Sequence, residues 1–440
     1  MKTIIPSNRV KLFTLCLSGL LSLSSLPFTS QAEETPQQWR FSLEEAVGHA
    51  LVHNTAMIKA DLAVRQAEAA KWAAIANYLP QLNVNVNYNN YLGASIEIFG
   101  MDIPMDPSSR LTLQASQLIF NANAILGMQL SELSRRMSEL GSNQSELAVK
   151  QNVRSTYYSI LMMENNRLLL KKNVENMRSL AKATRAKVEV GIGEQTEADE
   201  IEIVLANLEN TLKQTERTIE LTYNSMRLLL GLNAEDGIEL SDRLQDVTDK
   251  QAMFALLAAG FDPAENVDMK AGQLNLEINK KQVKSAIAGY LPTISAVYQR
   301  NEILLKTGFD PTTKNTLVLT ASMPLFCSGK TTAELKKAQL AYESAQEDLE
   351  LMQKQLLIQD KQLRFNLKSA LESYEIQERN IEVSKRMFDN VTKKFEQGLS
   401  SSLEVTNASN NLLTAQSNYI QSAMSLLNAS DALKKLLGTL

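Results

Sequence analysis

The 440-residue sequence contains two cysteines, Cys16 and Cys327, and two histidines, His49 and His53. Cys16 falls in an apolar stretch from Leu12 to Phe28, with Lys2, Arg9 and Lys11 before it and Ser30-Gln31-Ala32 after it. That is the layout of an export leader, so 1–32 reads as a signal peptide cleaved near Ala32. A lipidation cysteine follows a small residue and ends the apolar run; here Leu15 precedes Cys16 and the run continues. Without the leader Cys327 is the only cysteine, which excludes an internal disulfide. The leader also takes away three basic residues and leaves 42 against 49 acidic ones, a net charge of −7 that gives no reason to bind nucleic acid.

Other absences narrow the function. No phosphate loop, nucleophile elbow or pair of catalytic carboxylates is present, so the chain reads as no enzyme and as carrying no cofactor. His49 and His53 stand one helical turn apart, but no third ligand is near and no HExxH occurs, so they read as part of a polar helix face rather than a metal site. Met101 and Met105 read as spare methionines of a surface loop, and Cys327 as a small junction residue without a histidine partner. Beyond the leader no apolar run approaches the roughly 18 residues of a membrane-spanning helix. Any membrane crossing must use strands.

The chain repeats itself. AIANYLP (Ala74 to Pro80) returns as AIAGYLP (Ala286 to Pro292), and LTLQASQLIF (Leu111 to Phe120) as LVLTASMPLF (Leu317 to Phe326). VEVGIGEQTEA (Val188 to Ala198) returns as FEQGLSSSLEV (Phe395 to Val405), and Gly231 as Gly438. Four matches in one order mark a duplication. The offset falls from 212 to 206 between the first two pairs, which puts a length difference in a loop between two strand-like segments. The repeats are expected at 33–240 and 241–440. Strands are expected at about 81–91, 109–120, 292–300 and 315–326, and long helices at about 122–231 and 329–438. In the second copy a heptad seam runs from Leu335 through Tyr342, Leu349, Leu356 and Leu363, shifts once by four residues, and resumes through Leu367, Tyr374, Ile381, Phe388 and Phe395. A helix from about Gly329 to Gln397 would be roughly 100 Å long.

The strand segments alternate. Leu82, Val84, Val86 and Tyr88 interleave with Asn83, Asn85, Asn87 and Asn89, and Leu317, Leu319, Ala321 and Met323 with Thr316, Val318, Thr320 and Ser322. Alternation alone fits a half-buried soluble hairpin equally well. In a bilayer four strands are too few to close, since barrels start at about eight, and open edges would leave backbone groups unbonded. Membrane-spanning strands therefore require at least two chains. On that reading the first set faces lipid, while Asn83, Asn85, Asn87 and Thr320 face a wet lumen.

The sequence resembles the TolC-type outer membrane channel family, the outer membrane factors of efflux pumps and type I secretion systems. The likeness rests on FSLEEAVGHALVHN, both Tyr-Leu-Pro strand entries, MPLFCSGK, and KFEQGLSSSLEVTNASNNLLTAQ. The junctions Cys327-Ser328-Gly329 and Asn121-Ala122-Asn123 depart from the glycine-rich family pattern. The resemblance implies a mixed, mainly α fold. As a homotrimer it would form a 12-stranded β-barrel continuous with a periplasmic α-helical barrel. It also implies a passive exit duct in a Gram-negative outer membrane, served by a periplasmic adaptor and an inner-membrane transporter. The family's tip constriction maps to Gly191, Gly193 and Gly398 as hinges, and its acidic ring to Glu404, with Asn407 neutral at the second position. Glu197 and Glu200 are the first-repeat equivalents. Ser401 to Glu404 also reads as an S-x-x-E capping box, a local role for Glu404 that does not exclude the ring. The competing reading is a secreted or periplasmic coiled-coil structural or adaptor protein, in which amphipathic strand pairs would be out of place.

Overall fold

The long heptad seam becomes a single uninterrupted helix in the computed structural model, which describes residues 37–98, 100–243, 247–305 and 313–440. The leader 1–32 and Cys16 lie outside the described residues. In chain order the structure begins with β1 (Gln38–Phe41), α1 (Leu43–His53), α2 (Thr55–Ala76), β2 (Gln81–Asn89), β3 (Ser95–Ile98), β4 (Met101–Pro104) and β5 (Ser108–Phe120). Then follow α3 (Ala122–Glu189), α4 (Gln195–Leu230), β6 (Gly237–Leu240), α5 (Lys250–Ala258), α6 (Val267–Ala288), β7 (Thr293–Leu305), β8 (Asn315–Ser322), α7 (Lys330–Glu396) and α8 (Ser402–Leu437).

α3 has 68 residues and α7 has 67, so each extends roughly 100 Å at 1.5 Å per residue. On α7 the seam residues Ala345, Leu356, Leu367, Tyr374, Phe388 and Phe395 are buried, joined by Leu371 from one position off the seam. Toward the helical turns they meet Met177 and Leu180 of α3, Ile201 and Leu208 of α4, and Val405 and Leu412 of α8 in one apolar cluster. The two hairpins thus pack as a four-helix layer. A second cluster, around Tyr157, Met226, Leu230, Leu367 and Leu426, lies where α1, β6 and α5 wrap the middle of the long helices. Among the described residues no helix is long and apolar enough to cross a membrane.

Both Tyr-Leu-Pro motifs stand just beyond a helix, α2 ending at Ala76 and α6 at Ala288, as the restriction on residues before proline requires. The strands that follow build one antiparallel sheet in the order β2-β5-β7-β8. Within the sheet β2 and β8 each have only one partner strand. β7 runs on to Leu305, beyond the expected end at 300, because it stays paired with β5 as far as Ser109. β8 stops at Ser322, short of the expected 326, since Pro324 has no N–H to give a ladder. The loop after β2 holds the small hairpin β3–β4, and β1 pairs in parallel with β6. Neither feature is visible in the alternation, because four-residue strands carry too short a pattern.

The return helices do not end freely. The N-cap Asn54 of α2 accepts from Ala56 N at 2.8 Å and donates to the carbonyl of Leu229, in the last turn of α4, at 2.6 Å. Asn266 does the same at α6, accepting from Asp268 N at 2.9 Å and donating to Leu436 O of α8 at 3.1 Å. One amide thus satisfies a helix N-terminus and a helix C-terminus together. It stacks α4 on α2 and α8 on α6. Gly231 ends α4 at φ 71°, and a Cβ there would lie 2.5 Å from the His53 carbonyl, so both conformation and space demand glycine.

Candidate functional site: the two-faced sheet and the helical tips

Register sorts the sheet into two unlike faces. On one, Asn83 stands opposite Gln114, which stands opposite Gln299 and then Thr316. In the next row Asn85, Thr112 and Asn301 align. Side-chain bonds tie the central strands on this face: Thr112 Oγ1 donates to Asn301 Oδ1 at 2.9 Å and Gln299 Nε2 to Gln114 Oε1 at 3.2 Å. Asn87 and Thr320 share the face, Thr320 opposite Ser295, and Val297 and Val318 are its apolar interruption. The structure brings Asn83, Asn85, Asn87 and Thr320 onto one surface.

The other face carries Leu82, Ala115, Tyr298 and Leu317 in one row, then Val84 beside Leu113 and Val86 beside Leu111. Leu82, Val84, Val86, Tyr88, Leu317 and Leu319 are exposed, Leu319 at 70%. So large an apolar surface calls for a partner or a lipid phase. Two charges enter this face at the loop end of β7, Arg300 and Glu302. They pair at 2.8 Å, with Lys314 3.4 Å from the same carboxylate. The expected strand ended at 300, so the continuation that puts Glu302 on this face beside Arg300 was missed; both share the parity of Tyr298.

At the opposite end of the molecule two tight turns join the hairpins. Gly191 and Gly398 sit at φ 79° and 74°, each letting the next residue donate back into the preceding helix, Ile192 N to Lys187 O at 2.9 Å and Leu399 N to Lys394 O at 2.8 Å. Gly193 does not adopt a positive φ; a side chain there would press on Lys187 Cβ at 3.0 Å. Glu404 is exposed in the first turn of α8, and Asn407 is exposed one turn on. The expected capping box is half formed. Ser401 accepts from Glu404 N at 3.3 Å, whereas the Glu404 carboxylate takes the hydroxyl of Ser400 and not the Ser401 N–H. Glu197 lies half-buried in the first turn of α4. Glu200 accepts from Ser402 Oγ at 2.6 Å and so links the two hairpins.

Lys187 makes a second link, its Nζ 3.4 Å from Glu396 O and 5.8 Å from the centre of the Phe395 ring. A cation over the last carbonyls of α7 suits the negative end of that helix. Sequence reading missed Ser402 and Lys187, because both act across hairpins about 200 residues apart.

His53 is exposed, whereas His49 is half-buried against aromatic rings. Their rings stack at 4.1 Å, His53 Nδ1 lies 3.0 Å from His49 O, and His49 packs at 5.3 Å from both Trp39 and Phe41. Burial, with the neighbouring His53 second, lowers the His49 pKa. Among the described residues no group of three metal-ligating side chains occurs. Cys327 is exposed in the turn from β8 to α7, where Ser328 and Gly329 take φ 50° and 82°.

A duplicated strand pair feeding a duplicated 100 Å helical hairpin is an architecture shared with several outer membrane channels. CusC superposes with a TM-score of 0.73 at 15% identity, over 90% of this chain and 92% of the other. VceC from Vibrio cholerae gives 0.70 at 16%, over 90% and 96%. The open state of MtrE from Neisseria gonorrhoeae gives 0.71 at 16%, over 90% and 88%. The fold is therefore that of a TolC-like channel protomer. In sequence, the outer membrane protein TolC of Vibrio cholerae serotype O1 is 20% identical over 373 residues, 81% of this chain and 83% of that protein. The profile of the outer membrane efflux protein family matches residues 46–232 and 263–439, and the chain belongs to that family.

Proposed function

We propose that three copies of this chain assemble into a passive outer membrane exit duct. β8 of one copy would pair with β2 of the next, closing a 12-stranded barrel whose asparagine-bearing face lines the lumen. The helical hairpins would join into a barrel of roughly 100 Å reaching through the periplasm. The carrying observation is the sheet itself: four strands, two edges, and one exposed apolar face backed by an amide-rich one. Closure satisfies the edges, which alone could not survive in hydrocarbon. The leader would be removed near Ala32. Transport energy would come from an inner-membrane transporter, handed on through a periplasmic adaptor docked at the tips. The family is one of channels, and the residues at the tips and sheet suggest positioning and gating rather than catalysis.

At the tips, three copies each of Glu197, Glu200 and Glu404 around a narrow mouth would focus negative potential. Gly191, Gly193 and Gly398 would absorb the movement that widens it. Reconstitution into planar bilayers tests both ideas. The expected result is a cation-selective conductance from a trimer, with selectivity weakened in Glu197→Gln/Glu404→Gln. A folded trimer without conductance would overturn the duct, and unchanged selectivity in the variant would overturn the ring.

A further inference from the structure

Charge is distributed unevenly along the axis of this acidic protein. The segments 72–96, 111–131, 285–299 and 315–329 contain no Asp, Glu, Lys or Arg. They include β2, most of β5, the first half of β7 and all of β8, and they run past the strands into the adjoining helix ends. In that margin Leu325 and Phe326 are 86% and 87% exposed, with Leu79 and Leu291 exposed at the matching entries. Such side chains suit the zone between hydrocarbon and headgroups.

On the helices next to the sheet basic residues outnumber acidic ones. The fifteen residues of α2, α3, α6 and α7 nearest the sheet hold ten Lys or Arg against five Glu. At the other end, the fifteen residues nearest the turns of α3, α4, α7 and α8 hold eight basic against eleven acidic. Arg136, Lys280, Lys284, Lys330, Lys336 and Lys337 are exposed. Among the described residues Lys280, Lys284, Lys336 and Lys337 take part in no ion pair. The helical segments within about 20 Å of the sheet, uncharged margin included, thus carry a net basic belt.

We propose that this belt seats on anionic phospholipid headgroups of the inner leaflet, with Leu325 and Phe326 set in the interfacial layer above it. The inference rests on the barrel reading, which fixes the uncharged zone as membrane. It adds a lipid-binding surface and places the periplasmic membrane boundary on the helices, below the last strand residue. A Lys or Arg near an anionic surface is worth about 1 kcal/mol, roughly five-fold in affinity. Several acting together give a clear lipid preference that salt weakens.

The test uses the full trimer in nanodiscs of phosphatidylcholine mixed with phosphatidylglycerol, with retained lipid counted by native mass spectrometry. Wild type should keep phosphatidylglycerol in preference by at least about ten-fold, falling at about 0.5 M salt. Lys280→Gln/Lys284→Gln/Lys336→Gln/Lys337→Gln should lose most of that preference. The same four positions changed to Arg should keep it, as should Lys393→Gln/Lys394→Gln at the tips. Equal retention of both lipids by wild type, or an undiminished preference in the Gln variant, would overturn the proposal. So would protection of the four lysines from an amine reagent in lipid-free trimer, since a neighbouring copy would then cover the belt. A chain that does not insert into bilayers at all refutes the barrel reading instead.

Discussion

Replacing Asn54 by Ala should open the joint between α4 and α2 without disturbing the long hairpins. Asn54 is 6% exposed, and its amide holds two groups, Ala56 N at 2.8 Å and Leu229 O at 2.6 Å. Loss of the N-cap costs about 1 kcal/mol. Leaving the Leu229 carbonyl without its donor, beside the buried Asn54 position, adds about 1–3 kcal/mol. The total is roughly 2–4 kcal/mol of local stability, which corresponds to an amide exchange rate about 30- to 1000-fold faster where opening is local. Hydrogen exchange on the purified protein reads this directly in the first turn of α2. Asn54→Asp separates the two bonds: it keeps the acceptor for Ala56 N but has no donor for Leu229 O. It should therefore still accelerate exchange. Wild-type exchange in Asn54→Asp, or less than about three-fold acceleration in Asn54→Ala, would refute the account of one amide serving both helix ends.

Three further perturbations address the sheet, the core and the aromatic stack. If the proposed barrel is right, Val84→Arg should impair assembly into the outer membrane by about 2–4 kcal/mol while Asn85→Arg is tolerated, measured as protein in the outer membrane fraction; equal tolerance would argue against the assigned faces. Arg154 on α3 meets the Asp431 side chain, 4% exposed on α8, at 2.9 Å. Arg154→Met should cost about 1–3 kcal/mol in thermal stability, because the buried carboxylate then keeps Lys434 at 3.9 Å but loses its closer partner, and Arg154→Met/Asp431→Leu should recover most of it. His49 has its pKa lowered by burial, so the folded state favours the neutral ring. Its stabilising effect is complete above the unfolded value near 6.5 and is lost as pH falls through the window below it. The protection of α1 amides, corrected for the intrinsic slowing of exchange in acid, should therefore fall as pH drops below about 6.5, and His49→Gln should remove that dependence.

Much of this protein was legible because its sequence is periodic. The seam from Leu335 to Phe395 specified the long helix, since a sustained heptad repeat fits no other regular structure. The alternation from Leu82 to Asn89 specified a two-faced strand, because side chains on a strand point to opposite sides in turn. The two Tyr-Leu-Pro motifs marked where helix gives way to strand. Family membership followed from the order of these duplicated features, more than from any one residue.

Tertiary structure alone decided the contacts that link distant parts of the chain. The row from Leu82 to Leu317 needed strand order and register, neither of which periodicity specifies. Asn54 on Leu229, Ser402 on Glu200 and Lys187 on Glu396 pair residues 175, 202 and 209 positions apart. Each is an ordinary polar residue in its local sequence and acquires its role only when helices meet end to end or tip to tip. The sequence determined which segments are helix and strand, because local periodicity controls which side of an element turns apolar. How those segments join was decided by geometry, because a hydrogen bond forms only between groups that packing has already brought within 3 Å.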